Sequence, residues 1–163
     1  MIWKRTFLRA LVAAGSLAIL SQRAVAQDET AAVRKTAADF SAAWNRHDAK
    51  AMADMFVEDG DIINPFGRVA KGRAEVEKLF QDEHATVMKG TTFNLTKVEV
   101  RMLGAGTAVV DWEVELVGMH GPAGAALPPL KHHVAVVEVK KGDRWLAAAV
   151  RPYVFAAPPG SSE

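Results

Sequence analysis

Two groups of side chains in this sequence have the types and spacing that acid–base chemistry uses. Glu83 and His84 sit side by side in a stretch whose apolar residues Val76, Leu79, Phe80 and Val87 recur at helical spacing. Glu83 falls near the middle of that stripe and His84 at its edge. A carboxyl held inside an apolar stripe has a raised pKa and can exchange a proton near neutral pH. The alternative is that the helix bends or ends there and Glu83 is solvated. The second group is His132, Arg151 and Tyr153. If Gly142-Asp143 is a two-residue hairpin turn, His132 lies opposite Tyr153 and Val134 opposite Arg151, so all three share a face. They would form a polar cluster for a ligand, an anion in particular. An arginine–aromatic stack at a dimer surface would give the same pattern. Glu83, His84, His132 and Tyr153 are therefore the candidate catalytic residues.

Other chemistries find no support. The chain has no Cys, which excludes disulfides, thiolate metal sites and a cysteine nucleophile. His132 and His133 are adjacent, so on a strand they point to opposite faces and cannot ligate one metal together. Asp54, Glu58, Asp59 and Asp61 form an acidic run without the spacing of a calcium loop, and read as a solvated turn. Phosphate-binding, dinucleotide, zinc-protease and nucleophile-elbow motifs are absent. No cofactor and no metal are expected.

The first 26 residues read as a secretory signal peptide. Lys4, Arg5 and Arg9 make a basic head, Ala10 to Leu20 an apolar run too short to span a bilayer, and Ala24-Val25-Ala26 a small-x-small cleavage pattern. Lys4-Arg5-Thr6-Phe7-Leu8 also has the look of a degenerate twin-arginine signal. That segment holds Lys4, Arg5, Arg9 and Arg23 and no acid. Without it the chain carries 16 basic residues against 19 acidic, a net charge of −3 with His neutral. Nothing in that balance offers the basic surface that nucleic acid phosphates require. The expectation is a periplasmic or secreted protein that binds no nucleic acid and has no membrane contact after cleavage.

The elements that would position the candidates follow from periodicity. Val33, Ala37, Phe40 and Trp44 predict a helix over residues 29–45, with Asp28 as its cap. Asp48 caps a short second helix whose inward residues are Met52, Met55 and Phe56. Glu58 to Asp61 reads as a turn, Ile62-Ile63 as a short strand, and the segment between Gly67 and Gly72 as an exposed loop. A third helix is predicted over 73–88. Strands follow. Residues 91–103 change apolar parity near Thr96-Lys97, which a bulge would reconcile. Residues 107–118 alternate cleanly, and 131–141 and 144–155 form a last hairpin. Helices first and strands after give an α+β class. The expected architecture is a cone-shaped, curved antiparallel sheet covered by three N-terminal helices. One domain spans 27–157, followed by a flexible tail at 158–163.

This order, together with A-W-N-R-H-D-A-K-A-M-A-D-M-F-V-E-D-G-D-I-I-N-P-F-G and the later G-D-R-W-L, resembles the nuclear transport factor 2-like superfamily. More narrowly, it is similar to the SnoaL-like and SgcJ/EcaC group of small bacterial proteins. The resemblance covers residues 29–155. It implies a cystatin-like roll with a cavity and, in many relatives, a homodimer paired through the sheet. The superfamily holds isomerases, cyclases, dehydratases and pure binding domains, so the scaffold alone does not choose among them. Ketosteroid isomerase, the best-understood enzyme of this layout, uses an Asp base and an oxyanion hole of a Tyr and a protonated Asp. The position matching its base is Asn64, whose amide is no base near neutral pH. The position matching its Tyr is Phe40. From Leu116 to Val137 there is no Asp or Glu.

The resemblance therefore implies a cavity without that activity. Its expected lining is Phe40, Trp44, Phe56, Asn64, Phe66, Phe80 and Trp112, with His132, Arg151 and Tyr153 as the polar contribution. The expected occupant is a small apolar or amphipathic molecule. The alternative is a cofactor-free isomerase or cyclase type that draws a different acid–base pair from the four candidates.

Overall fold

Val33, Ala37, Phe40 and Trp44 are all buried, so one face of the first helix carries its apolar side chains. The computed structural model describes residues 27–121 and 124–156, and helix α1 runs over 27–45. The expected signal peptide and the tail at 158–163 lie outside the described residues. The chain divides into two units after Ala32, and the fold below is that of the unit beginning at Val33.

Helix α1 ends where His47 adopts the left-handed conformation, φ 54°. His47 N–H donates to the Trp44 carbonyl at 2.7 Å and Asp48 N–H to the Ala43 carbonyl at 3.1 Å, the paired bonds of a Schellman stop. Asp48 then caps α2, Ala49–Ala53, by accepting from Ala51 N–H at 2.9 Å. Helix α2 is shorter than the apolar spacing predicts. Ala147 N–H donates to the Met55 carbonyl at 2.8 Å, which draws the chain into the sheet, and Phe56 opens a strand instead of closing a helix.

That strand, β1 (Phe56–Ile63), contains the four residues expected to form a turn. Phe56 pairs with Ala147 and Asp61 with Ala149, so residues 57–60 face only Ala148. A bulge of this width carries Glu58 and Asp59 out to solvent and hides the alternation of the strand. Gly60 is needed within it, because a Cβ there would lie 2.8 Å from the Ala147 carbonyl. The stretch read as a loop also contains a short strand, β2 (Val69–Lys71), antiparallel to β1.

Helix α3 (Arg73–Ala85) buries Val76, Leu79, Phe80 and Glu83. It ends before Val87, which is exposed. Strands β3 (Thr92–Gly104), β4 (Thr107–Val117), β5 (Leu130–Lys141) and β6 (Arg144–Tyr153) complete the sheet. The register of β3 against β4 shifts between Leu95 and Lys97, where the parity change places a bulge. On β4, Ala108, Val110, Trp112, Val114 and Leu116 all face inward and are buried.

The strand order is β2-β1-β6-β5-β4-β3. The class is α+β as expected, with helices first and a curved, unclosed sheet after. The sheet is mixed, not wholly antiparallel, because β1 runs parallel to β6. A parallel neighbour needs a long crossover, and everything between the two strands supplies it. The core lies between the helices and the inner face of β3 to β6.

Candidate functional site

Phe40 on α1 is the hub of an aromatic group gathered from four elements. Its ring centroid lies 6.2 Å from Trp44, 5.8 Å from Phe80 on α3, 5.7 Å from Phe93 on β3 and 5.4 Å from Trp112 on β4. Tilted and edge-on pairs of this kind are favourable and rigid. They do not fill the space between helices and sheet. A cavity of about 60 Å³ remains, lined by Phe40, Trp44, Phe80, Phe93 and Trp112, by aliphatic groups including Ile62, Leu116, Val134 and Val150, and by three polar side chains: Asn64, Glu83 and His132. It reaches the surface at Phe66, which lines it while 68% exposed. The volume is smaller than the roughly 300–1,000 Å³ typical of sites that enclose drug-sized ligands, so this conformation suits a small, compact body.

Asn64 directly follows β1 and is buried. Its Oδ1 accepts from Phe66 N–H at 3.1 Å and Arg68 N–H at 2.8 Å, which fixes the side chain in an Asx-type turn. The amide nitrogen is thereby turned toward α3, where it donates to Glu83 Oε1 at 2.5 Å. Glu83 is therefore not solvated. Burial pushes its pKa up, opposed by the Asn64 hydrogen bond and by the Arg68 charge. Arg68 itself is held by Asp82 at 2.6 Å.

His132 is buried on the inner face of β5, edge-on to Phe93 at 6.1 Å. Burial lowers its pKa, and its Nδ1 has no hydrogen-bond partner in the protein. A neutral imidazole on the lining can exchange a hydrogen bond or a proton with what enters the cavity.

The other candidates are elsewhere. His84 packs edge-on to Trp44 at 4.5 Å and its Nδ1 lies 2.7 Å from Nδ1 of His47. Burial, and secondarily the His47 charge, push its pKa down to about 4. It does not line the cavity. Phe56 is buried behind the cavity, against Phe80 at 6.3 Å.

Arg151 and Tyr153 face away from it. The hairpin does turn at Gly142-Asp143, but the register shifts between Val137 and Glu138, so His133, not His132, pairs with Tyr153, and Ala135, not Val134, pairs with Arg151. One bulged residue moves both side chains to the outer face. There Tyr153 stacks on His133 at 5.4 Å, and Arg151 Nη2 donates to Asp61 Oδ2 at 2.7 Å. The expected cluster of His132, Arg151 and Tyr153 does not form. Of the acidic run, Asp54 pairs with Lys50 at 2.7 Å and Asp61 with Arg151. Among the described residues no group of three or more His, Asp or Glu side chains could hold a metal ion.

One ionisable residue escaped the sequence reading. Glu138 lies one position beyond the stretch surveyed for a late-strand acid, and is only 2% exposed. The signal was available: His132, Val134, Val136 and Glu138 share one parity on β5, and all four are buried.

Helices packed on the inner face of a six-stranded curved sheet, with an apolar cavity between them, define a cystatin-like, nuclear transport factor 2-like fold. Solved structures carry the same arrangement. An uncharacterized protein with a cystatin-like fold from Caulobacter vibrioides superposes with a TM-score of 0.71 at 20% identity, covering 78% of this chain and 89% of that one. An NTF2-like protein with a cystatin-like fold from Novosphingobium aromaticivorans gives 0.69 at 20% identity, over 88% and 90%. A ketosteroid isomerase-like protein from Erwinia carotovora atroseptica gives 0.65 at 22% identity, over 76% and 94%. At these identities the likeness is one of fold. The chain belongs to the SnoaL-like domain family, whose family model matches residues 37–148. No curated protein matches the sequence.

Proposed function

We propose that this SnoaL-like domain takes a small apolar or amphipathic molecule into its cavity and does not carry out ketosteroid isomerase chemistry. The observation that carries the reading is the lining. Six Phe and Trp rings, Phe66 at the mouth among them, surround a space whose polar groups are Asn64, Glu83 and His132. The amide of Asn64 cannot act as a base, its Oδ1 is occupied by the loop N–H groups, and Phe40 offers no hydroxyl. Native mass spectrometry of the protein as purified from cells tests the reading. A retained small molecule, lost when Phe66 is replaced by a charged residue, is the expected result.

Glu83 and His132 on one cavity favour a second reading, a cofactor-free acid–base enzyme acting on a carbon acid. Exchange of the α-protons of cyclohexanone in D2O, followed by NMR, separates the two. Exchange above buffer that disappears in Glu83→Gln selects the enzyme; none selects the binding protein.

The protein is further proposed to be exported and to pair with a second copy through the outer face of its sheet. Export is supported by the basic head, apolar run and small-x-small pattern of residues 1–26. Pairing is supported by exposed Phe155 against the His133–Tyr153 stack, with exposed Val137 further along β5. Fractionation of expressing cells and sedimentation at micromolar concentration test these two points, and a cytoplasmic or monomeric protein would remove them.

A further inference from the structure

Glu138 lines a second, smaller cavity of about 20 Å³, bounded also by Thr36, Phe56, Trp112 and Val150 among others. Phe40, Trp112 and Val150 line both cavities, which therefore adjoin. Thr36 on α1 reaches both the Val33 carbonyl, at 2.7 Å, and Glu138 Oε1. A hydroxyl has one proton to give, and a carbonyl can only accept. Both contacts are hydrogen bonds only if Thr36 donates to Val33 while Glu138 carries a proton and donates it to Thr36 Oγ1. Burial acts in the same direction, pushing the Glu138 pKa up to about 7; Thr36 opposes this only in the orientation in which its hydroxyl donates to the carboxylate.

Two buried polar atoms on residues that line this space have no partner in the protein: Glu138 Oε2 and Trp112 Nε1. Buried polar groups are satisfied in the great majority of proteins, so a pair of this kind calls for an occupant. The two atoms differ in what they need. Oε2 of a protonated carboxyl is an acceptor and wants a donor, whereas the indole N–H wants an acceptor. A hydroxyl supplies both at once.

We propose that the ligand is a neutral, largely apolar alcohol or phenol whose hydroxyl donates to Glu138 Oε2 and accepts from Trp112 Nε1–H, while its apolar body lies in the larger cavity. This rests on the reading of that cavity as a ligand site and adds the class of ligand and the group that selects it. The hydroxyl end reaches the inner space where Phe40, Trp112 and Val150 line both cavities. The inner space has room for little more than one oxygen atom, since a single water needs about 10–15 Å³ on the same measure. A carboxylate ligand is disfavoured, because it would bring charge into a chamber that offers it no cation.

Calorimetric titration of the full chain with p-cresol and with toluene tests the assignment, the two probes differing by one hydroxyl. The expected result is a preference for p-cresol of about tenfold, the size of a satisfied pair of buried polar groups. Glu138→Leu should bind toluene at least as well and lose the preference, and Glu138→Gln, which keeps an acceptor, should retain it. Trp112→Phe, which keeps the ring and removes the N–H, should lower the preference and provides the test if Glu138→Leu does not fold. Toluene binding without a preference for p-cresol, or a preference that survives both Glu138→Leu and Trp112→Phe, overturns this inference and leaves the cavity reading standing. Binding of neither probe removes both.

Discussion

Asn64 donates its side-chain amide proton to Glu83 Oε1 across 2.5 Å, joining the residue that follows β1 to the last turn of α3. The direction of this bond is fixed by the loop, because Oδ1 is already held by Phe66 and Arg68 N–H groups. Asn64 thus serves to satisfy a buried carboxyl.

Replacing Asn64 with Asp keeps the loop acceptor and removes the donor. The new oxygen would face Glu83, and two carboxyls that close cannot both ionise. Asn64→Asp should therefore cost about 2 kcal/mol at pH 8 and recover most of it at pH 5, where the pair holds a proton. Urea unfolding at the two pH values measures this. Equal losses at both would show that the two side chains are not coupled.

Glu138 gives the wild-type chain a pH dependence of its own. Its folded pKa, about 7, stands above the ordinary 4.5. The folded state thus holds a proton that the unfolded state releases. The associated stability is fully present below pH 4.5 and is lost as pH rises through 7, on the order of 3 kcal/mol. Glu83, raised in the same direction, adds to the trend. Glu138→Gln stays neutral at every pH and should flatten the fall in urea midpoint between pH 5 and pH 8. An unchanged slope would mean that Glu138 is ionised in the folded protein.

His47 is the only described non-glycine residue with positive φ, and it closes α1 against His84. Glycine adopts this conformation without strain, so His47→Gly should change stability by less than about 1 kcal/mol despite losing the contact with His84. The same substitution removes the lesser of the two causes that depress His84. Its pKa should rise above about 4 yet stay below 6.5, because burial remains the larger cause. Proton NMR of the imidazole Cε1–H across pH 3 to 8 reads this directly. In the wild type the depressed value makes His84 a source of stability above pH 6.5 that is lost as pH falls toward 4. His47→Gly should narrow that window.

What could be read from the sequence tracks how regular each element is. Helix α1 and strand β4 each bury one clean period, so Phe40, Trp44 and Trp112 could be assigned to the interior at once. Strand β1 could not be read, because residues 57–60 leave the ladder in a wide bulge and place acidic side chains where alternation would put apolar ones. The polar cluster on the last hairpin failed through a single unpaired residue. Ala148 shifts the register by one and carries Arg151 and Tyr153 to the outer face. Nothing in the local sequence announces that bulge. Glu83 illustrates a different limit. Its place in the apolar stripe was legible, but its burial depends on a donor 19 residues earlier whose direction is set by two loop N–H groups.

Phe66 offers a way to separate ligand affinity from stability. It lines the cavity, yet 68% of it is exposed, so its removal opens the mouth without creating a void in the core. Phe66→Ala should change stability by no more than about 0.5 kcal/mol, as surface substitutions do. Phe80 lines the same cavity from within at 1% exposure, and Phe80→Ala should cost about 3–5 kcal/mol. Toluene affinity, measured by calorimetry, should fall severalfold in Phe66→Ala, because a bound molecule would lose one apolar wall and gain solvent contact. If Phe66→Ala leaves affinity unchanged while Phe80→Ala unfolds the protein, the mouth lies elsewhere on the rim and the loop after Asn64 does not form part of it.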